Sequence, residues 1–337
     1  MNKTLEKLAE AYTSALMEKF NDELFWEKPW FNVSAYPVNL RGTGYRGANL
    51  FLLSLAMSMK GYGLPVYLTY NQAQKLGVSV LKGQKGWPVQ HYIRYHKDEN
   101  GKYIPDDQFQ KMTQEQQAQC TTKVKLSYYV VFNICQTNMQ DVRPEIYEKF
   151  QQKFSIANRV QGESHTMLDE QLQGRWICPV YEMRSNLAYY TPKDNHIVLP
   201  LREQFNQMAQ FYSTTLHEMA HSTMHPDACP RKTKAPDGVD SYGHEELIAE
   251  LSAGLTGLSI GVEQTPQQNN IAYLKCWLEN MRQDPQYIFN VLSDAKAVTQ
   301  FMTRHFGLEI GQSQKEEMDD ISIPEELKHD KKKNLKL

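Results

Sequence analysis

His217-Glu218-Met219-Ala220-His221 puts two imidazoles and a carboxylate within five residues. On a helix, residues four apart lie on one face about one turn from each other, so both histidines can reach one metal ion. Glu218 projects near that metal without binding it and is placed to take a proton from a water held there. This is the ligand-and-base arrangement of a zinc peptidase. A catalytic zinc takes three protein ligands and keeps one position open, so a third ligand must come from elsewhere. Residues 244–254 supply the candidates. Glu246 and Glu250 are four apart, with Glu246 as the expected ligand and Glu250 hydrogen-bonded behind a ligand histidine. His244 or Glu250 could take the place of Glu246. Tyr242 is a candidate donor to the oxyanion formed when a peptide carbonyl is attacked.

These side chains need two helices. Residues 205–224 form an amphipathic pattern with no Pro or Gly inside it, and Pro226 follows its end. Glu218 is a charge on an otherwise apolar stretch, where an unpaired carboxylate would be costly to bury. The acidic run from His244 reads as the start of the second helix, and residues 226–243 join the two.

A second feature lies upstream. Residues 29–97 contain no Asp or Glu but eight Lys and Arg, with aromatics between them. Basic groups contact phosphates, and aromatic faces stack on unpaired bases without demanding a sequence, so the stretch suits a polyanionic nucleic acid. Its candidate contacts are Trp30, Arg41, Tyr45, Arg46, Asn49, Tyr70, Lys82, Lys85 and Trp87. Residues 40–49 form a glycine-containing loop that leads into a helix at 50–60, and such a loop lets backbone N–H groups approach a phosphate.

The remaining pattern predicts an α+β protein. Residues 2–26 read as a packing helix, 69–76 as a short helix capped by Thr69, and 87–95 as an alternating strand. A Gln-rich insertion at 99–119 should be a flexible loop or a helical excursion. Residues 125–134, rich in β-branched and aromatic side chains, should be a buried strand. A break at 141–144 divides the chain into an α+β domain (1–140) and a mainly helical domain with a small sheet (141–308), followed by a charged, disordered tail (309–337). The second domain should contain a helix at 144–157, strands at 174–181, 187–190 and 197–200, and helices at 267–281 and 286–306. The strand at 197–200, read as an edge, could hold an extended peptide by strand addition.

Composition sets the broad class. With 41% hydrophobic and 23% charged residues the chain is globular. The formal charge of -2 combines a basic amino-terminal part with an acidic remainder. No apolar run reaches the roughly 20 residues needed to span a bilayer, and no membrane partner is expected. The N-terminus lacks a signal-peptide core. Cys120, Cys135, Cys178, Cys229 and Cys276 are odd in number and scattered, which fits a reducing, cytoplasmic setting.

Several motifs, in order, resemble the ArdC-type antirestriction proteins of conjugative plasmids and mobile elements. They are Pro29-Trp30, Gly44-Tyr45-Arg46-Gly47-Ala48-Asn49, Leu68-Thr69-Tyr70-Asn71-Gln72-Ala73, Lys82-Gly83-Gln84-Lys85-Gly86 and Val131-Phe132-Asn133-Ile134-Cys135-Gln136-Thr137, then Tyr190-Thr191-Pro192, Leu216 to His221 and Glu245 to Leu251. The resemblance covers about residues 25–305. It departs at the Gln-rich insertion and at His244, where the family usually has Arg. The resemblance implies an amino-terminal domain that binds single-stranded DNA, a zincin-like metallopeptidase domain, and a role in DNA transfer. The expectation is therefore a zinc site of His217, His221 and Glu246 with Glu218 as general base, acting on an unknown protein substrate. The alternative is a non-catalytic protein that coats single strands and whose metal site is structural or vestigial.

Overall fold

The structure is a computed structural model that describes residues 8, 10–15, 18, 36–154, 165–235, 240–262, 280–281, 283–284 and 287–308. Helix α1 (Gly47–Lys60) is apolar on almost every side, and it is covered on almost every side: Ala48 and every residue from Leu50 to Met57 are buried. It begins at Gly47, whose φ of +54° favours glycine and whose missing Cβ leaves room for the Lys296 side chain. It ends on Gly61 in the left-handed conformation.

Around α1 lies a five-stranded sheet in the order β1-β2-β5-β3-β4. Its strands are β1 (Val38–Asn39), β2 (Val66–Thr69), β3 (Trp87–Lys97), β4 (Tyr103–Pro105) and β5 (Thr121–Asn133). Only the β1–β2 pair is parallel. Thr69 ends β2 and caps the short α2 (Tyr70–Lys75) through a reciprocal pair of bonds with Gln72, as the sequence predicts.

Strands β3 and β5 pair without interruption from Trp87↔Val131 to Lys97↔Thr121. Only the base of this ribbon joins the core. In β5, Val131 and Asn133 are buried, while residues 121–125, 129 and 130 are exposed. The strand expected to be buried at 125–134 is thus only partly buried, at its carboxy-terminal end. The insertion at 99–119 is an ordered excursion at the far end of the ribbon, made of β4, α3 (Asp106–Phe109) and α4 (Gln114–Ala118). His96 fixes it in place. Its ring stacks on Phe109 with centroids 3.5 Å apart and bonds Thr122 and Asp106.

Helix α5 (Pro144–Phe154) leads to the second half, which holds a three-stranded sheet in the order β6-β8-β7: β6 (Val180–Met183), β7 (Tyr189–Thr191) and β8 (His196–Pro200). The strand expected to be an edge, β8, is the central one, so it cannot add a peptide strand; the free edges belong to β6 and β7. The strand expected at 174–181 begins only at Val180, because Gln171–Arg175 coils tightly through Gly174 at φ +96°. Helices α6 (Met208–Ser222), α7 (Ser241–Ile260) and α8 (Tyr287–His305) complete this half. α6 packs on β7 and β8, and α7 packs on both α6 and α8. Most of the helix expected at 267–281, the residues 155–157 and the tail from 309 lie outside the described residues, as does part of the helix expected at 2–26.

The two halves share one hydrophobic core, which runs without a break from Leu8 to Phe306. α8 packs against α1. Tyr12 donates to the Ala48 carbonyl at 2.9 Å and its ring meets Phe289 with centroids 5.2 Å apart. No described helix is long and apolar enough to cross a membrane.

Candidate functional site

α6 and α7 lie side by side and each presents one face to the other. From α6 come His217 and His221, one turn apart; from α7 come Glu246 and Glu250, also one turn apart. Asp240 starts α7 by accepting from the backbone N–H groups of Tyr242 and Gly243, both at 3.1 Å, which sets the phase of that face.

The two Nε2 atoms of His217 and His221 are 3.1 Å apart. Glu246 faces both, with Oε2 3.4 Å from His217 Nε2 and Oε1 3.4 Å from His221 Nε2. Ligands held about 2.0–2.1 Å from a tetrahedral zinc stand roughly 3.3 Å from one another. The spacing of this donor triad therefore suits a metal ion of that size, and its chemistry (two imidazoles and a carboxylate) suits zinc.

Each histidine of the triad has a carboxylate behind it. Glu250 Oε2 lies 3.2 Å from His217 Nδ1, and Glu245 Oε1 lies 3.3 Å from His221 Nδ1. Arg231 grips Glu245 in turn, with Nη2 2.6 Å from Oε1 and Nε 2.8 Å from Oε2. The same guanidinium donates to the Ala220 carbonyl and to Thr223 Oγ1 at the end of α6. Asp294 of α8 anchors the loop that carries Arg231, accepting from the backbone N–H groups of Lys232 and Thr233 at 3.1 and 2.8 Å.

Charge follows from this packing. Burial alone would lower the pKa of both imidazoles, but Glu246 and Glu250 around His217, and Glu245 and Glu246 around His221, outweigh it and raise both. At Glu246 burial works toward a higher pKa, and the two histidines overcome it to hold the carboxyl well below its usual range. The pocket thus favours positive charge on the two ring nitrogens, a demand that protons or a divalent cation can meet in competition. Glu218 is buried, and among the described residues it has no hydrogen-bond or ion-pair partner. Its charge is felt by both histidines.

Of the alternative third ligands, His244 points elsewhere: Nδ1 is 3.1 Å from the Tyr287 hydroxyl and Nε2 3.3 Å from Thr233 Oγ1. Glu250 sits behind His217. Tyr242 is exposed on the first turn of α7, one turn before Glu246. Sequence reasoning missed Glu245 and Arg231. Glu245 carries a local signal, since it adjoins Glu246; Arg231, in a loop, carries none.

The residues nominated for nucleic acid differ in exposure. Arg46, Lys82 and Lys85 are exposed, and so is Tyr70, while Arg41 and Trp87 are half-buried. Tyr45 is a core side chain, buried against Tyr67, and cannot stack on a base. Asn49 spends its amide on the fold, donating to the Gln90 carbonyl at 2.7 Å and accepting from the Gln90 N–H at 2.8 Å. Trp30 lies outside the described residues.

Comparison with known proteins assigns both halves. Residues 6–132 match the N-terminal domain of the anti-restriction factor ArdC, and residues 179–294 match a zincin-like metallopeptidase family. The two matches follow one another along the chain, an ArdC-type amino-terminal domain and then a zincin-like metallopeptidase domain. Its fold is that of the antirestriction protein ArdC from plasmid R388. The metal-free crystal structure of that protein gives a TM-score of 0.65 at 23% identity, covering 90% of this chain and 98% of that one. The Mn(II)-bound structure gives 0.62 at 24% identity. Among curated proteins, a DNA primase TraC of Escherichia coli is 28% identical over 286 residues, 82% of this chain but only 25% of the primase, so the ArdC-like chain spans about a quarter of that relative. The protein y4eC of Sinorhizobium fredii is 25% identical over 82% of this chain and 85% of its own length. A zincin-like domain implies a metal, and the donor triad is where this chain can hold one.

Proposed function

We propose that this ArdC-like protein binds single-stranded DNA through its amino-terminal part (1–140) and carries a zinc-dependent peptidase site in its carboxy-terminal part (141–308). The observation that carries the peptidase reading is the convergence of His217, His221 and Glu246, with the buried Glu218 on the same helix.

His217, His221 and Glu246 would hold the zinc, which when bound acts as a Lewis acid on a carbonyl and makes a nearby water easier to deprotonate. Glu250 and Glu245 fix the tilt of the two imidazoles. Glu218 accepts the proton of the attacking water and returns it to the leaving amine, which requires a carboxylate that is free of partners and shielded from bulk water. Tyr242 is the candidate donor to the oxyanion. The relatives carry the nucleic-acid reading: the amino-terminal half matches an ArdC domain, and TraC acts on DNA by its name. An ArdC-like protein with both properties would protect incoming DNA in a recipient cell, with a host protein as substrate.

The test combines metal analysis with a matched variant. The wild type should hold about one zinc per chain, and His217→Ala should lose it. Glu218→Gln should keep the zinc and lose cleavage of an unfolded test protein. Retained cleavage by Glu218→Gln overturns the mechanism. Full DNA protection by that variant moves the function to steric coating of single strands.

A further inference from the structure

The ribbon's two faces differ, and the difference follows from register. Residues paired across strands project to the same side of a sheet. His96 pairs with Thr122 and Ile104, and that side is closed at the ribbon's far end by Phe109 of α3, stacked on His96. On the other side stand Ile93 and Lys125, Tyr95 and Lys123, and Lys97 flanked by Thr121 and Tyr103. The rings of Tyr95 and Tyr103 meet with centroids 5.2 Å apart, and Tyr103 is 47% exposed. Lys123 and Lys125 are both exposed.

Neither β3 nor β5 contains a single Asp or Glu. Within the excursion, Asp98 accepts from the N–H groups of Asn100 and Lys102 and Asp106 is held by His96 on the closed face, while Glu99, Asp107 and Glu115 are exposed. The open face thus joins two tyrosine rings to three lysines, and neither of the two long strands contributes a carboxylate to it. Aromatic rings offer stacking to any base, and lysines offer contacts to phosphates. A protein partner rich in acidic groups would suit the lysines, but it gives no reason for paired tyrosines at the same spot.

We infer that this face of the ribbon is a binding platform for single-stranded nucleic acid, with Tyr95 and Tyr103 stacking on bases and Lys97, Lys123 and Lys125 contacting phosphates. The inference rests on the single-stranded DNA reading proposed above and moves its stacking contacts from the glycine loop to the ribbon. Tyr45 and Asn49 of that loop are committed to the core, whereas Tyr95 and Tyr103 stand on an exposed arm.

The experiment is fluorescence anisotropy of the full chain with a labelled oligothymidylate, at several salt concentrations. Four variants are compared: Tyr95→Ala with Tyr103→Ala, Tyr95→Phe with Tyr103→Phe, a Gln triple at Lys97, Lys123 and Lys125, and a Gln triple at Arg46, Lys82 and Lys85. The alanine pair should weaken binding roughly ten-fold or more, and the phenylalanine pair should restore it, because stacking needs the ring and not the hydroxyl. The ribbon lysine triple should flatten the log–log salt slope by about 2. An unaltered melting temperature separates loss of contact from loss of fold, and the phenylalanine and lysine variants decide the matter should the alanine pair unfold. If wild type binds but only the Arg46, Lys82 and Lys85 triple is weakened, the platform is wrong and single-strand binding stands. If wild type does not bind, both fail.

Discussion

The metal cluster and the ribbon represent opposite ways of placing polar groups. At the cluster His217 and Glu246 are buried and His221 is nearly so, and each histidine has a carboxylate behind it. One of those carboxylates is gripped by Arg231, whose loop is tied down by Asp294. Along the ribbon, side chains stand in an open row fixed only by strand pairing. The first arrangement holds three atoms to fractions of an ångström, which a metal site requires. The second tolerates a partner whose bases vary, since a ring on a strand offers a flat surface and no fixed hydrogen-bond pattern. The difference in rigidity matches the chemistry proposed for each region.

Mutations can sharpen that contrast or break it. The largest effect is expected at Glu218, where Gln should reduce peptide cleavage by about 10²-fold or more while zinc and DNA binding stay as in wild type. Loss of zinc from that variant would make Glu218 part of the structural cluster. Next comes Arg231→Met, which leaves the largely buried Glu245 with only His221 beside it. It should lower stability by about 3 kcal/mol and weaken zinc binding roughly 10- to 100-fold, with Arg231→Lys recovering part of both; calorimetric melting and chelator competition measure the two. Unchanged zinc affinity would show that the brace behind His221 is dispensable. Asn49→Ala removes two bonds between α1 and β3 and should cost about 1–3 kcal/mol in denaturant titration without altering the salt slope of DNA binding. A changed slope would return Asn49 to the nucleic-acid surface. Smallest is Thr69→Ala, which loses a helix cap worth about 1 kcal/mol and should leave zinc content untouched.

What could be read from the sequence was what is local. The His217–His221 spacing, the Glu246–Glu250 spacing and the Thr69 cap all act within one or two helical turns, so the chain order displays them. The position of β8 could not be read, because the chain lays down both edges of the sheet before its centre. The exposure of β5 was hidden for a different reason. Tyr128, Tyr129, Val130 and Val131 have the composition of a core strand, yet only Val131 of the four is buried. Tyr45 and Tyr92 show the same ambiguity in reverse: one is a core side chain and the other is 66% exposed. Residue type sets what a side chain can do, and only the tertiary fold decides whether it faces protein or water.

Helix α8 has a consequence for how the protein is made. It supplies Phe289 against Tyr12, Lys296 beside Gly47 and Asp294 beneath the Arg231 loop. On the ribosome the amino-terminal part emerges first, but the wall that completes its core is encoded near residue 300. Until translation passes that point, the outer side of α1 has no permanent cover. The amino-terminal and carboxy-terminal parts should therefore reach their final form together, late in synthesis, and a chain cut short before α8 should complete neither.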